Sequence, residues 1–405
     1  MKARQPAPRQ MPWHILTRRL SLFCVPLLCI AILAGCNKKT EQPVESVELP
    51  ANSFSVEWRA EAPVGEGQLR RLYVNEDKVM AVNSDNRCFF MNRKSGHINQ
   101  ITQAGNVNDT LFEPLTLSSK IIFPSTSNVT VLNRDGQLQH KIRTRYAVSG
   151  GAAGDEERLY LGLDSPNGGR LAAISHEKQP YDITPVWELL TRGQVSATPA
   201  VFQGQVYSGS RDGGVYAVRG EDREVLWPAL PNGHFKTGGG ILADLQADKD
   251  GVYVASMDTK LYCLDYNTGR VKWRYYAGYP LRENSSPVLT NNHIYLFVPG
   301  VGLVAIDKNN RNEIKPAKWA VNNARQFLAQ DEQYVYVQMA DNRLVAVDKN
   351  TGQPRFASTR RDLTVFAVNT TAGDNTIYAA TATGTIYAIR PVLKPGGVGE
   401  LVLAE

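Results

Sequence analysis

From about residue 54 onward, apolar and polar positions follow one repeated phrase, and no long stretch carries the 3.6-residue period of an amphipathic helix. Each copy centres on a short apolar run: Val79-Met-Ala-Val82, Ile121-Ile-Phe123, Leu159-Tyr-Leu-Gly162, Val206-Tyr-Ser-Gly209, Val252-Tyr-Val-Ala255, Ile294-Tyr-Leu-Phe297, Val335-Tyr-Val-Gln338 and Ile377-Tyr-Ala-Ala380. A tight turn follows, as at Asp85-Asn86, Asp212-Gly213, Asp258-Thr259, Asp341-Asn342 or Thr383-Gly384. Asn, Asp and Gly there tolerate the positive φ that short hairpins demand. A second strand comes next (Gly214–Val218, Lys260–Leu264, Arg343–Val347, Thr385–Ile389), then a further turn, clearest as Asp265-Tyr-Asn-Thr-Gly269 and Asp348-Lys-Asn-Thr-Gly352. The strand after it carries Trp187, Trp227, Trp273 or Trp319, with Phe356 in the corresponding place, and a Ser/Pro-marked strand such as Ser196–Phe202 or Ser285–Leu289 opens the next copy.

Four short strands every ~40–45 residues is the period of a propeller blade. Eight copies predict an all-β, eight-bladed β-propeller of four-stranded antiparallel blades. Apolar residues at successive positions suit sheets covered on both faces by neighbours. The eighth copy stops near Ile389 without a Trp strand, and Val56-Glu-Trp58-Arg59 matches Val271-Lys-Trp273-Arg274. The N-terminal strand is therefore expected to complete the eighth blade and close the ring, leaving no open seam. Five of the six Trp then share one structural position, as wedges between blades.

The N-terminal segment reads differently. A basic stretch ending at Arg18-Arg19 precedes an apolar run, Leu20–Ala34, shorter than the ~20 residues of a spanning helix. Small residues Ala34-Gly35 follow, and then Cys36. Basic, apolar, small is the layout of a secretory signal. Leu33-Ala34-Gly35-Cys36 resembles the lipobox of bacterial lipoproteins, which implies cleavage before Cys36, lipidation of its thiol and anchoring by several acyl chains. Asn37 after the Cys implies, in that family, delivery to the outer membrane. The expected organisation is a signal peptide over 1–35, a lipidated Cys and flexible tether over 36–53, the propeller over 54–391 and a tail over 392–405.

The 405-residue chain is 42% apolar and 21% charged, enough to bury large cores. Its formal charge of +6 is misleading, because Lys2, Arg4, Arg9, Arg18 and Arg19 all precede Cys36 and no acid does. The remainder is near neutral without a basic stripe, so no nucleic-acid partner is expected. Once the signal and Cys36 are set aside, Cys88 and Cys263 remain, in the first and fifth units. Across an eight-fold ring they are too far apart for a disulfide, which needs Cα atoms within about 7 Å.

Candidate chemistry is thin. The His residues at 97, 140, 176, 234 and 293 are scattered, and no metal is expected. Asp248-Lys-Asp250-Gly251 has part of a calcium-loop pattern but neither its first ligand nor its closing Glu, and reads as a hairpin turn. Gly233-His-Phe-Lys-Thr-Gly-Gly-Gly240 lacks the order of a phosphate loop and reads as a crowded approach to the fifth blade. The stretch Tyr275–Asn284 concentrates three Tyr, a Leu and an Arg, types enriched at interface hot spots.

Residues 261–273, Leu-Tyr-Cys-Leu-Asp-Tyr-Asn-Thr-Gly-Arg-Val-Lys-Trp, resemble the repeat of the pyrroloquinoline-quinone (PQQ) propeller superfamily. Behind a lipobox, such a ring is similar to the non-enzymatic lipoproteins that serve the outer-membrane β-barrel assembly machinery. That resemblance implies a membrane-anchored scaffold with no cofactor, whose interblade loops hold a protein partner, here the β-barrel assembly complex. Leu281-Arg282 ahead of Ser-Pro resembles that element; with the composition of the loop this makes Tyr279, Pro280, Leu281, Arg282 and Glu283 the candidate contact, and His234 and Phe235 in the loop one blade away its extension. The alternative on the same fold is a quinoprotein dehydrogenase or a propeller binding PQQ or another small ligand in its channel. Those dehydrogenases resemble one another in a vicinal Cys pair, and this chain has no adjacent cysteines.

Overall fold

The computed structural model describes residues 52–177 and 185–393. The signal, Cys36, most of the tether and the tail beyond Leu393 lie outside them. The strands form eight four-stranded antiparallel sheets. Numbered in chain order, the blades cover 69–103, 115–142, 147–190, 200–236, 246–276, 288–322, 324–357, and 365–393 together with 52–61. In the last sheet the N-terminal strand Asn52–Glu61 pairs with Thr385–Leu393, Trp58 standing opposite Ala388. The ring closes with its two chain ends in one blade, as expected.

The first strand of each blade is innermost. Ala147–Gly154 touches both Leu115–Thr116 and Ala200–Phe202, and Leu69–Val74 touches Val365–Phe366. The two middle strands are buried almost throughout: every residue of Gly251–Ser256 is buried, as is all but the last of Gly214–Arg219. Their side chains feed eight apolar clusters, one at each seam between neighbouring blades. Full burial of one such Val, Leu or Phe contributes about 1.5–3 kcal/mol.

The repeated Trp is an interblade lock. The indole N–H of Trp58 donates to Arg93 O (2.9 Å), Trp187 to Gly220 O (2.9 Å), Trp227 to Tyr266 O (3.1 Å) and Trp319 to Lys349 O (2.9 Å), each in the next blade. The rings of Trp58, Trp227 and Trp319 also lie on the turn glycine of that blade. A Cβ on Gly96, Gly269 or Gly352 would stand 2.5–2.8 Å from the indole, and all three have φ near +70°. Each turn is tied by its first residue, as where Asp265 Oδ1 accepts from the N–H groups of Asn267 and Thr268. Asn-Thr-Gly is thus a socket for the preceding blade's Trp.

Trp273 has a different partner. The ammonium of Lys315, 2% exposed, stands 4.9 Å from its ring centroid and donates to the carbonyls of Asp307, Lys308 and Asn310. Ile314 bridges Arg274, so this segment of blade 6 covers the outer edge of blade 5. Trp227 departs in another way. It lies outside a regular strand, beyond the Val218–Val225 bridge, and the outer strand resumes only at Phe235–Lys236. Pro228 and Pro231 have no N–H for the ladder, so the chain loops out between them and His234.

Cys88 and Cys263 are buried free thiols in blades 1 and 5. Burial pushes Cys88 well above its ordinary pKa and Cys263 up to about 12, so both are inert at neutral pH. Asp248–Gly251 is a hairpin turn, and Lys308 of blade 6 pairs with Asp248 and, at 3.2 Å, with Asp250. The glycine run is steric: a Cβ on Gly239 would meet the Asp258 backbone N at 2.5 Å, and one on Gly240 the Arg211 O at 2.7 Å.

His293, 7% exposed, accepts from Lys318 at Nε2 (3.1 Å), while Nδ1 has no partner. Burial first, and Lys318 and Lys349 with it, lower its pKa below the ordinary 6.5, with Asp307 opposing. The unfolded chain therefore takes up this proton first as pH falls. The His293 contribution is full above pH ~6.5 and declines below it by up to about 1.4 kcal/mol per pH unit until the folded pKa is reached. Denaturant melts of His293→Gln are expected to lose less stability between pH 7.5 and 5 than wild type. An equal loss in both would refute the assignment.

Candidate functional site

The outer strand of blade 5 leads to the inner strand of blade 6 through the loop 277–287, which is pinned at its start and its middle. Ala277 N–H donates to Thr259 O (2.9 Å) and Leu281 N–H to Ser256 O (3.3 Å), on the hairpin of blade 5. Glu283–Ser285 forms a single 3-10 turn, with Ser285 N–H on Arg282 O (2.8 Å). Thr259, β-branched at φ +74°, is a strained position beneath this loop.

The structure divides the residues expected at this surface. Leu281 is fully buried in the cluster between blades 5 and 6, so its side chain anchors the loop: an aliphatic side chain above a seam is drawn into the seam. Tyr279, 47% exposed, Pro280, Arg282 and Glu283 point to solvent. The Tyr279 ring leans on the blade 6 hairpin, so closely that a Cβ on Gly300 would stand 2.9 Å from it. Tyr276, 47% exposed, continues the surface, with Lys260 Nζ 5.7 Å from its ring centroid. Sequence reading did not single out Tyr276 or Lys260, because their approach depends on the hairpin register Lys260↔Tyr276.

His234 and Phe235 turn to opposite faces of blade 4, as neighbours on a strand do. Phe235, half-buried, meets Tyr262 of blade 5 edge-on at 5.5 Å and lies on the side of the Tyr276 surface. His234 is buried, stacked on Tyr216 at 4.7 Å, and faces blade 3. It does not join the 277–287 loop, which corrects its place in that surface.

Around the channel, Glu113, Thr198, Asp244 and Ser286 hold one register position at the start of the inner strands of blades 2, 4, 5 and 6. Asp244 Oδ1 accepts from Thr198 N–H (2.6 Å) and its own N–H donates to Ser286 Oγ (2.9 Å), tying three blades. Burial raises the pKa of both Glu113 and Asp244, Asp244 adding to the rise at Glu113 and Arg71 opposing it. Among the described residues no three His, Cys, Asp or Glu side chains converge as metal ligands.

Eight four-stranded blades, a repeat of ~40–45 residues and a Trp-on-Gly lock at three seams together define an eight-bladed β-propeller. A sequence profile described as "Outer membrane protein assembly factor BamB" matches residues 125–238 and 155–315. Over residues 125–315 the chain is similar to that family. Among solved structures, BamB from Moraxella catarrhalis is 14% identical over 84% of this chain and 98% of its own, with a TM-score of 0.60. The computationally designed Ika8 protein is 12% identical over 82% of this chain and 98% of its own, also at 0.60. At such identity the likeness speaks for the fold. Curated protein sequences give no match.

Proposed function

We propose that this protein is a non-enzymatic, lipid-anchored scaffold of the bacterial envelope that assists outer-membrane β-barrel assembly. In this reading Cys36 carries the anchor, the body faces the periplasm from the outer membrane, and the 277–287 loop holds a subunit of the assembly machinery. The observation that carries it is the aromatic and basic surface of Tyr276, Tyr279, Lys260 and Arg282, held rigid by the buried Leu281. Tyr and Arg side chains on a fixed loop are the composition of an interface hot spot. The BamB profile match, which runs from the second half of blade 2 through blades 3 to 5 into blade 6, supports the direction of the assignment. The two buried thiols have no part in it.

The test is an affinity pull-down of the full protein from mildly solubilised membranes, with partners identified by mass spectrometry. Wild type is expected to recover a β-barrel assembly subunit, and Tyr279→Ala/Arg282→Glu to lose it while melting like wild type, since both side chains are exposed. Leu281 stays intact, because its truncation would open a cavity. Absence of any such subunit with wild type would end this reading.

A further inference from the structure

The looped-out chain of blade 4 leaves a cleft of about 250 Å³ on the outer rim between blades 3 and 4. Leu189, Leu190 and Val225 form its banks, the stacked Tyr216 and His234 its floor, and Arg192 its edge. Leu190 is 54% exposed and Val225 42%, an apolar surface left open among the described residues. We propose that this cleft is a second docking site, for an acidic segment of a partner protein that inserts one aliphatic or aromatic side chain. It stands on the rim geometry alone and does not depend on the function proposed above.

Volume restricts the occupant. Small-molecule sites enclose roughly 300–1,000 Å³, so this cleft suits an anchoring side chain better than a cofactor. Charge sets the sign. Four acids near the cleft are paired: Glu188 with Arg170 (2.9 Å), Asp222 with Arg219 (2.9 Å), Glu224 also with Arg219, and Asp212 with Lys236 (2.7 Å); Glu221, exposed in the same turn, has no ion pair among the described residues. Arg192, exposed at the edge and near the Tyr216 hydroxyl, has no ion pair among the described residues. A carboxylate beside the inserted side chain would complete it.

The edge sets the mode. Blade 3 presents an open outer strand, Trp187–Leu190, which a peptide might be expected to extend by backbone pairing. Arg223 blocks that course, its guanidinium donating to the outward carbonyl of Glu188 at 2.7 Å. Recognition therefore runs through side chains across the seam, with the banks gripping the anchor and Arg192 reading the charge.

Fluorescence anisotropy with the purified full chain tests this. The probes are a fluorescein-labelled twelve-residue peptide with one central Phe among Glu and Ser, the same peptide with Lys for Glu, and one with Ser for Phe. The Glu peptide alone is expected to bind, more weakly as salt is added, and to lose about tenfold or more in affinity with Arg192→Glu and with Leu190→Ser/Val225→Ser. These residues are exposed, so the variants are expected to fold. No binding by the Glu peptide, equal binding by the Lys peptide, or unchanged affinity in Arg192→Glu would each overturn the proposal. Arg192→Glu leaves the 277–287 loop untouched, so its pull-down result stays that of wild type and the two readings fail separately.

Discussion

Arg93→Ala is expected to lower stability by about 3–5 kcal/mol and to release the closing strand Asn52–Glu61 to proteolysis before the rest of the ring. The Arg93 side chain is 7% exposed and lies in the turn of blade 1 that receives Trp58. Its guanidinium donates to Tyr378 Oη (3.0 Å), Asn369 Oδ1 (3.1 Å), Thr371 Oγ1 (3.1 Å) and Asn75 O (2.5 Å), and pairs with Asp374. It therefore ties blade 1 to the C-terminal strands of blade 8, which the strand Asn52–Glu61 meets only through strand pairing. Removing it leaves the Asp374 carboxylate, Asn369 and the Tyr378 hydroxyl short of a partner in a place water reaches poorly. Burial alone would raise Asp374, yet Thr376 and then Arg93 hold its pKa below the ordinary value, so the carboxylate is charged when it loses its partner. Arg93→Lys keeps the charge but not the fork, and is expected to recover only part of the loss. Denaturant melts with limited proteolysis read both effects, and a loss under about 1 kcal/mol would show that the closed strand needs no clamp.

The second large effect is expected at the Trp–Gly lock. Trp227 is 1% exposed, and Trp227→Ala should cost about 3–5 kcal/mol through the cavity and the lost indole hydrogen bond to Tyr266 O, which keeps only the Tyr207 hydroxyl at 3.2 Å. Gly269→Ala should cost about 1–3 kcal/mol, because φ is +70° and the added Cβ would stand 2.5 Å from the indole. The double variant decides the mechanism. With the ring gone only the contact with Leu230 Cδ1 (2.7 Å) remains of the steric part of the Gly269 cost, so the two losses should fall short of additive by about 1 kcal/mol. Strict additivity in equilibrium melts would mean that Gly269 is there for its backbone conformation alone.

Much of this architecture is legible in the chain because each blade repeats the same local solution. The Val-Tyr run, the Asx-initiated turn and the Trp strand recur closely enough to fix strand number, ring closure and the separation of Cys88 from Cys263. What the repeat does not encode is less visible. Arg93 is an ordinary turn residue in the sequence, and its partners lie about 280 positions away. Composition marked Tyr275–Asn284 as an interface loop, but a loop has no period, so nothing along it told Leu281, drawn into the seam, from Tyr279 and Arg282, left outside. His234 and Phe235 are neighbours in sequence and face different seams, since a strand sends successive side chains to opposite sides. The cleft beside Arg192 arises from two prolines that interrupt one outer strand, a feature that matters only once the neighbouring blade is in place.

The central claim is that the 277–287 loop is a contact surface for barrel assembly, and photo-crosslinking in growing cells tests it most directly. A benzophenone amino acid would replace Tyr279 on the loop or, as control, Leu138, 52% exposed on the outer strand of blade 2. The account predicts an adduct with a β-barrel assembly subunit from position 279 and none from position 138. Absence of that adduct at 279, or equal yields at both positions, would contradict it.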